Sequence, residues 1–234
     1  MDKKYLFPVI LILLGAFPLF AYAPGDLVLN PEVQLGFEIP DIRQNAGYPA
    51  GKEDGSYVSL GLCWSLRLSA SYRLTSFFSG VAGFGFEGVH NQYNFTYYPP
   101  AREGDSYTER YTYDTYYFVI PAGVRAHIRA LTLGAGLAGY VPLASKFSGE
   151  IKEGGVYSPS AGNYFKPNPF LGGYFDIGYD WAEREGNSRG FNMNLRIEAS
   201  FSDKIADGDG DYRTFRHIAI SLTAGYSFSP FSFR

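Results

Sequence analysis

Eight charged residues stand at positions where alternation would turn them into a common interior. They are Glu38, Arg67, Glu87, Arg125, Asp176, Asp180, Arg196 and Glu198. Each occupies the polar phase of a segment whose other phase is apolar. A charge in a narrow, poorly hydrated interior is costly unless its opposite lies beside it. The mixture of signs therefore reads first as an ion-pair network plugging that interior. A gated path for water or ions along the same side chains is the second reading. Arg67, the one charge among the Ser, Gly and Cys of its phase, requires a carboxylate partner from across the interior.

Three other constellations carry weaker chemistry. Asp207-Gly-Asp-Gly-Asp211 spaces carboxylates as some calcium loops do, but no bidentate acid follows at the required distance. It reads as a solvated acidic loop. His217 shares a phase with Ser221, with Asp203 and Asp207 in the adjoining loop, yet no nucleophile motif surrounds Ser221. No catalytic, metal or cofactor site is assigned, and enzymatic activity is not expected. The third is aromatic: Tyr93, Phe95, Tyr97, Tyr98, Tyr107, Tyr111 and Tyr113 surround Pro99-Pro100 in the stretch 91–114. Its flanks alternate as a hairpin would. Tyrosines offer rigid contact area to a surface ligand or host factor, or pack on one another to stiffen the hairpin.

The elements that position these residues are strands. Residues 57 to 72 place Val58, Leu60, Leu62, Trp64, Leu66, Leu68, Ala70 and Tyr72 on one face, and Ser, Gly, Cys63 and Arg67 on the other. Small residues suit the inside of a narrow barrel, and the apolar face suits lipid. Seven further segments repeat the pattern: 33–39, 78–87, 118–128, 133–141, 171–180, 191–201 and 217–228. No charged residue occupies the apolar phase in the spanning part of any of them. Eight is an even number, as a closed up-and-down bacterial barrel requires.

The connections support that topology. Links at 73–76 and 129–130 are short, and the one at 182–190 is somewhat longer. Those at 41–56, 91–114, 144–167 and 203–214 are long and polar. Such barrels carry short turns on the periplasmic side and long loops outside. Trp64 to Tyr72 climbs roughly 20 Å at a tilt near 40°, and Phe191 to Phe201 roughly 25 Å, which matches the hydrocarbon band. Aromatics bracket both stretches as an interfacial girdle would. On this reading residues 57 to 63 stand above the membrane.

Composition sets the remaining bounds. Phe and Tyr number 20 each among 234 residues and charged residues are 18%, so the chain is aromatic-rich and charge-poor. A net charge of −3 gives no basis for a nucleic-acid partner. The single cysteine, Cys63, excludes an intrachain disulfide and reads as a small interior residue. Lys3 and Lys4 precede an apolar run from Leu6 to Phe20 and then Ala21-Tyr22-Ala23, the pattern of a secretory signal peptide. Cleavage is expected after Ala23 or, because Pro24 would follow that bond, after Gly25. Residues 1–23 are thus a signal peptide and 24–234 the barrel. No later run is long and apolar enough for a transmembrane helix.

With its strands placed, the chain resembles the small bacterial outer-membrane β-barrel proteins of the OmpA-transmembrane, OmpX and OmpW type. The likeness is carried by Tyr117-Phe-Val-Ile-Pro-Ala-Gly-Val-Arg125, by Gly134-Ala-Gly-Leu-Ala-Gly-Tyr140, and by the final strand Ile218 to Phe228. It implies an all-β, closed, antiparallel, up-and-down eight-stranded transmembrane barrel in the bacterial outer membrane. Its implied partners are outer-membrane lipid and the barrel-assembly machinery. Family members end on an aromatic residue that this machinery recognises, whereas this chain continues through Ser229-Pro-Phe-Ser-Phe233 to Arg234. The signal is then Tyr226–Phe228 or the Phe231–Phe233 tail. The expected role is structural or interactive, as an adhesin or ligand-binding barrel acting through its long loops. A narrow channel for small solutes or ions is the alternative, and a lipid A-modifying enzyme is less favoured.

Overall fold

The computed structural model describes residues 25–44, 53–58, 60–75, 77–97, 107–128, 130–153, 156–159, 165–181, 189–202, 205–207 and 213–231. The signal segment 1–23 lies outside them, as do Asp203 and most of the acidic loop at 208–211. Eight long strands form the wall. They are β1 (Leu27–Gln44), β2 (Gly61–Arg73), β3 (Phe78–Tyr97), β4 (Tyr107–Ile128), β5 (Leu131–Glu153), β6 (Phe170–Asp180), β7 (Arg189–Ser200) and β8 (Arg213–Phe231). Each pairs antiparallel with its sequence neighbours, and β1 pairs with β8 from Leu27↔Phe231 to Gln44↔Arg213, which closes the sheet. Closure leaves no open edge in the part of the wall that meets lipid.

Pairing register fixes the size of the barrel. From Leu27 the paired residues run round the wall through Tyr72, Gly80, Val124, Ala135, Phe175, Ile197 and Ile220. They return to β1 at Phe37, ten residues from the start. With a rise of about 3.3 Å per residue and strands about 4.8 Å apart, this offset gives a tilt of about 40° and a wall about 16 Å across. Inward side chains fill a tube of that width.

Burial follows the alternation with polarity inverted relative to a water-soluble domain. Leu35, Leu66, Phe86, Val124, Leu137, Phe175, Leu195 and Leu222, one from each strand, are all exposed. Inside, Glu32, Gln34, Arg67, Glu87, Asp176, Asn194, Arg196, Glu198 and Thr223 are all buried. An apolar belt of this extent is stable only against lipid. Near its upper edge, below Leu62 and Leu60, the Trp64 indole lies across Gly88, where an added Cβ would come within 2.5 Å of the ring. It meets Tyr116 edge-on at 6.4 Å. At the other edge Tyr179 contacts Trp181 and Phe191 contacts Tyr226, at 4.9 and 5.2 Å.

The segment 57–72 differs from the single strand that its alternation predicts. The strand breaks after Val58, and Glu53–Val58 pairs separately with the upper part of β3, while β2 begins at Gly61. Leu60 and Leu62 are as exposed as the rest of the apolar belt, so only the residues before the break rise above it. Tyr72 is buried although it lies in the outward phase. The residues preceding β1 cross it: Arg73 N donates to Asp26 O at 3.2 Å, and an added Cβ on Gly25 would approach the Tyr72 hydroxyl at 3.3 Å.

Candidate functional site

The described lumen holds an ionic layer, an aromatic layer above it, and a set of bonded amides and hydroxyls. Arg67 on β2 donates through Nη2 to Glu87 Oε2 on β3 at 2.7 Å, and through Nη1 to Glu198 Oε1 on β7 at 3.1 Å. Arg196, two residues before Glu198, reaches its carboxylate at 4.0 Å and Asp176 Oδ2 on β6 at 2.9 Å. Arg125 on β4 closes on the same Asp176 oxygen at 3.8 Å. Three acids and three bases thus alternate across the barrel from β3 to β4. Oppositely charged neighbours offset the cost of removing each from water. Such a belt pins the strands to one another across the tube.

Glu38 and Asp180, expected in the same network, stand at other heights. Asn91 Nδ2 donates to Glu38 at 2.8 Å, and Ser227 Oγ donates to Asp180 at 3.3 Å. The charge-only reading missed a belt of amides and hydroxyls. Gln34 Nε2 donates to Ser221 Oγ at 2.7 Å, Asn192 Nδ2 to Asn30 Oδ1 at 2.8 Å, and Ser69 Oγ to Glu32 Oε1 at 3.0 Å. Glu32 was legible: it continues the phase of Gln34 and Glu38 by one step.

Glycines make room for the ionic belt. The Tyr174 phenol lies against Gly123 and Gly136, where an added Cβ would stand 2.6 and 2.7 Å from its oxygen. The Arg196 guanidinium sits 4.6 Å above the Tyr174 ring. Gly136→Ala would also place its Cβ 2.3 Å from the Ala122 carbonyl oxygen, so the wall must shift. It is expected to cost about 1–3 kcal/mol. Gly139→Ala, with nothing within 4 Å of its new Cβ, should leave stability within about 0.5 kcal/mol. Urea unfolding of the two variants in detergent micelles measures the difference.

The upper layer is aromatic. Tyr140 on β5 stacks on Phe170 of β6 at 4.2 Å and 6°. Tyr117 of β4 meets Phe170 edge-on at 5.4 Å, and the His217 ring of β8 meets it at 5.2 Å. Cys63, Val89, Val119, Ala138 and Ala219 join this buried cluster, as does Tyr174 from the ionic belt. His217 is therefore part of a packed layer and Ser221 takes a hydrogen bond from Gln34, which gives both residues structural partners.

Above the apolar belt the wall is uneven: β1 and β8 continue as a short pair to Gln44↔Arg213, and three other strands continue further. β3, β4 and β5 continue together as a blade, with Glu53–Val58 on one edge and Val156–Pro159 on the other. The stretch 91–114 is mostly paired strand, from Asn91↔Tyr113 to Tyr97↔Tyr107, and its tip with Tyr98 lies outside the described residues. The outward face turns polar where it leaves the belt: His90 Nδ1 pairs with Asp114 at 2.5 Å, and Arg110 lies 4.0 Å from Glu150. Tyr111 and Tyr113 are buried, and Tyr111 stacks on Phe147 at 5.3 Å. Burial pushes the Tyr113 phenol up to about 12, so it stays protonated. Tyr93, Phe95, Tyr97 and Tyr107 are placed here by their backbone pairing.

No protein-family model matches the chain, and no curated protein matches it. Several solved barrels are similar in architecture. Ail, the attachment invasion locus protein of Yersinia pestis, is 12% identical with a TM-score of 0.34, over 88% of this chain and all of that one. OprG, an outer membrane protein from Pseudomonas aeruginosa, is 12% identical with a TM-score of 0.33, over 89% and 97%. The outer membrane protease OmpT from Escherichia coli is 7% identical with a TM-score of 0.39, over 90% and 99%. At such low identity the fold rests on the chain's own register and polarity. Closure, the apolar belt and the filled polar lumen make this an eight-strand β-barrel of the bacterial outer membrane.

Proposed function

We propose that this barrel is a surface-interaction protein that presents its blade outside the cell and keeps its lumen shut. The observation that carries this reading is the pairing of two features: a lumen filled by an ionic and an aromatic layer, and three strands that continue furthest past the belt. From Tyr116 to Tyr107 the extension adds about 20 Å of height at the barrel's tilt. A hairpin held by strand pairing offers a partner a preorganised surface, which lowers the ordering cost of binding. Tyr111 and Tyr113 stiffen the blade, which leaves partner contact to the rest of the aromatic set and the tip.

The register supplies a clean test. Asn94 pairs with Arg110, so an Asn-Gly turn can join them and delete residues 95–109 while keeping Asn91, Tyr111 and Tyr113. The shortened protein should fold, with its usual gel shift on heating. Cells expressing it should lose attachment to epithelial monolayers by at least about tenfold relative to the full chain. Equal attachment by both proteins would assign the barrel a purely structural role. Both should be silent in planar bilayers, and steady conductance steps would favour a channel instead.

A further inference from the structure

We infer that the lipid-facing wall carries a specific site for one phospholipid of the inner leaflet, at the periplasmic ends of β6, β7 and β8. A groove of about 460 Å3 lies there, lined by Trp181, Gly190, Phe191, Asn192, Met193 and Ala224. Its volume falls within the range of about 300–1,000 Å3 typical of small-molecule sites. The groove exists because Ala224 interrupts a row of large lipid-facing side chains. Ala224 pairs with Met193 on one side and Val33 on the other, and Gly190 pairs with Ser227. Phe191, held in edge contact with Tyr226 at 5.2 Å, walls one side, and the Trp181 ring stands against Tyr179.

The occupant follows from position and charge. The groove opens on the apolar belt, so its floor meets hydrocarbon, and an acyl chain fills it at little polar cost because Asn192 is already bonded to Asn30 and Ser227. Arg189 lies one alternation step beyond Phe191, in the same outward phase, and it is exposed at the rim. A guanidinium just outside an aromatic girdle stands at headgroup height, where it donates to a phosphate diester in paired fashion. Apolar groove and rim cation together match a diacyl phospholipid. A free phosphate would use the arginine alone, and a neutral lipid would use the groove alone.

The full-length barrel in detergent micelles doped with palmitoyl-oleoyl phosphatidylglycerol, analysed by native mass spectrometry, tests the site. The unaltered protein should retain one more phospholipid at rising collision energy than Ala224→Phe, which fills the groove from a lipid-facing position. Ala135→Phe, lipid-facing on β5 and outside the groove lining, should retain that phospholipid as the unaltered protein does. Arg189→Gln should lower retention of phosphatidylglycerol about fivefold or more, and palmitoyl-oleoyl glycerol, which lacks phosphate, should bind both forms equally weakly. Gel shift on heating verifies that each variant is folded. Equal phospholipid retention by Ala224→Phe, Ala135→Phe and the unaltered barrel would mean adventitious annular lipid only and would overturn the site. Retention unchanged by Arg189→Gln would overturn the role of the headgroup.

Discussion

Arg67→Met is expected to destabilise the folded barrel by about 3–5 kcal/mol, because it leaves two buried carboxylates facing an uncharged side chain. Glu87 and Glu198 converge on Arg67 from β3 and β7, at 2.7 and 3.1 Å, and both are buried. The cost is chiefly that of stranded charge and not of lost attraction. Neutralising the acids should therefore restore most of it. The triple variant Arg67→Met, Glu87→Gln, Glu198→Gln is predicted to recover to within about 1–2 kcal/mol of the parent, while Arg196 keeps Asp176 at 2.9 Å. Urea titration of the refolded protein in phospholipid vesicles, read by gel shift, gives all three values. A loss below about 1 kcal/mol for the single variant would show that water already solvates the belt. A triple variant no better than the single one would show that Arg67 acts by packing.

The second large effect concerns the aromatic layer, for which the chain carries its own reporter. Cys63 is the only cysteine and lies buried in the cluster that Phe170 organises. Phe170→Ala removes the ring against which Tyr140, Tyr117 and His217 all rest. Loss of a buried phenyl ring costs about 3–5 kcal/mol when its surroundings do not collapse into the space. Part of that cost should appear as local opening of the layer from the extracellular side. A small membrane-impermeant thiol reagent applied to intact cells should modify Cys63 at least about tenfold faster in Phe170→Ala than in the unaltered barrel, since modification follows access of the thiolate. Leu195→Ala, on the lipid-facing wall, should leave the rate unchanged. Equal rates in all three proteins would mean that the layer does not seal the lumen.

These two predictions draw on different degrees of legibility. Alternation alone turned Arg67, Glu87, Arg125, Asp176, Arg196 and Glu198 inward, because successive strand side chains point to opposite faces. The same rule put Tyr140 and Tyr174 in the interior phase. It said nothing of which inward residues share a height. Phe170 of β6 reaches Tyr117 of β4 and His217 of β8 only because the register climbs ten residues around the wall. That offset is set by pairing between strands, which no single segment encodes.

The sequence by itself determined the strand count, the inverted polarity, the short and long connections, and the need for a carboxylate across the interior from Arg67. All of these follow from a period of two and from charge burial, which are local or compositional. The tertiary structure decided that Glu87 and Glu198 supply that carboxylate, and that Asn91 serves Glu38. It also decided that residues 57 to 72 divide after Val58, and that Tyr111 and Tyr113 pack on Phe147 within the blade. Those outcomes depend on tilt and register, which bring residues from different strands to one level of a tube about 16 Å wide.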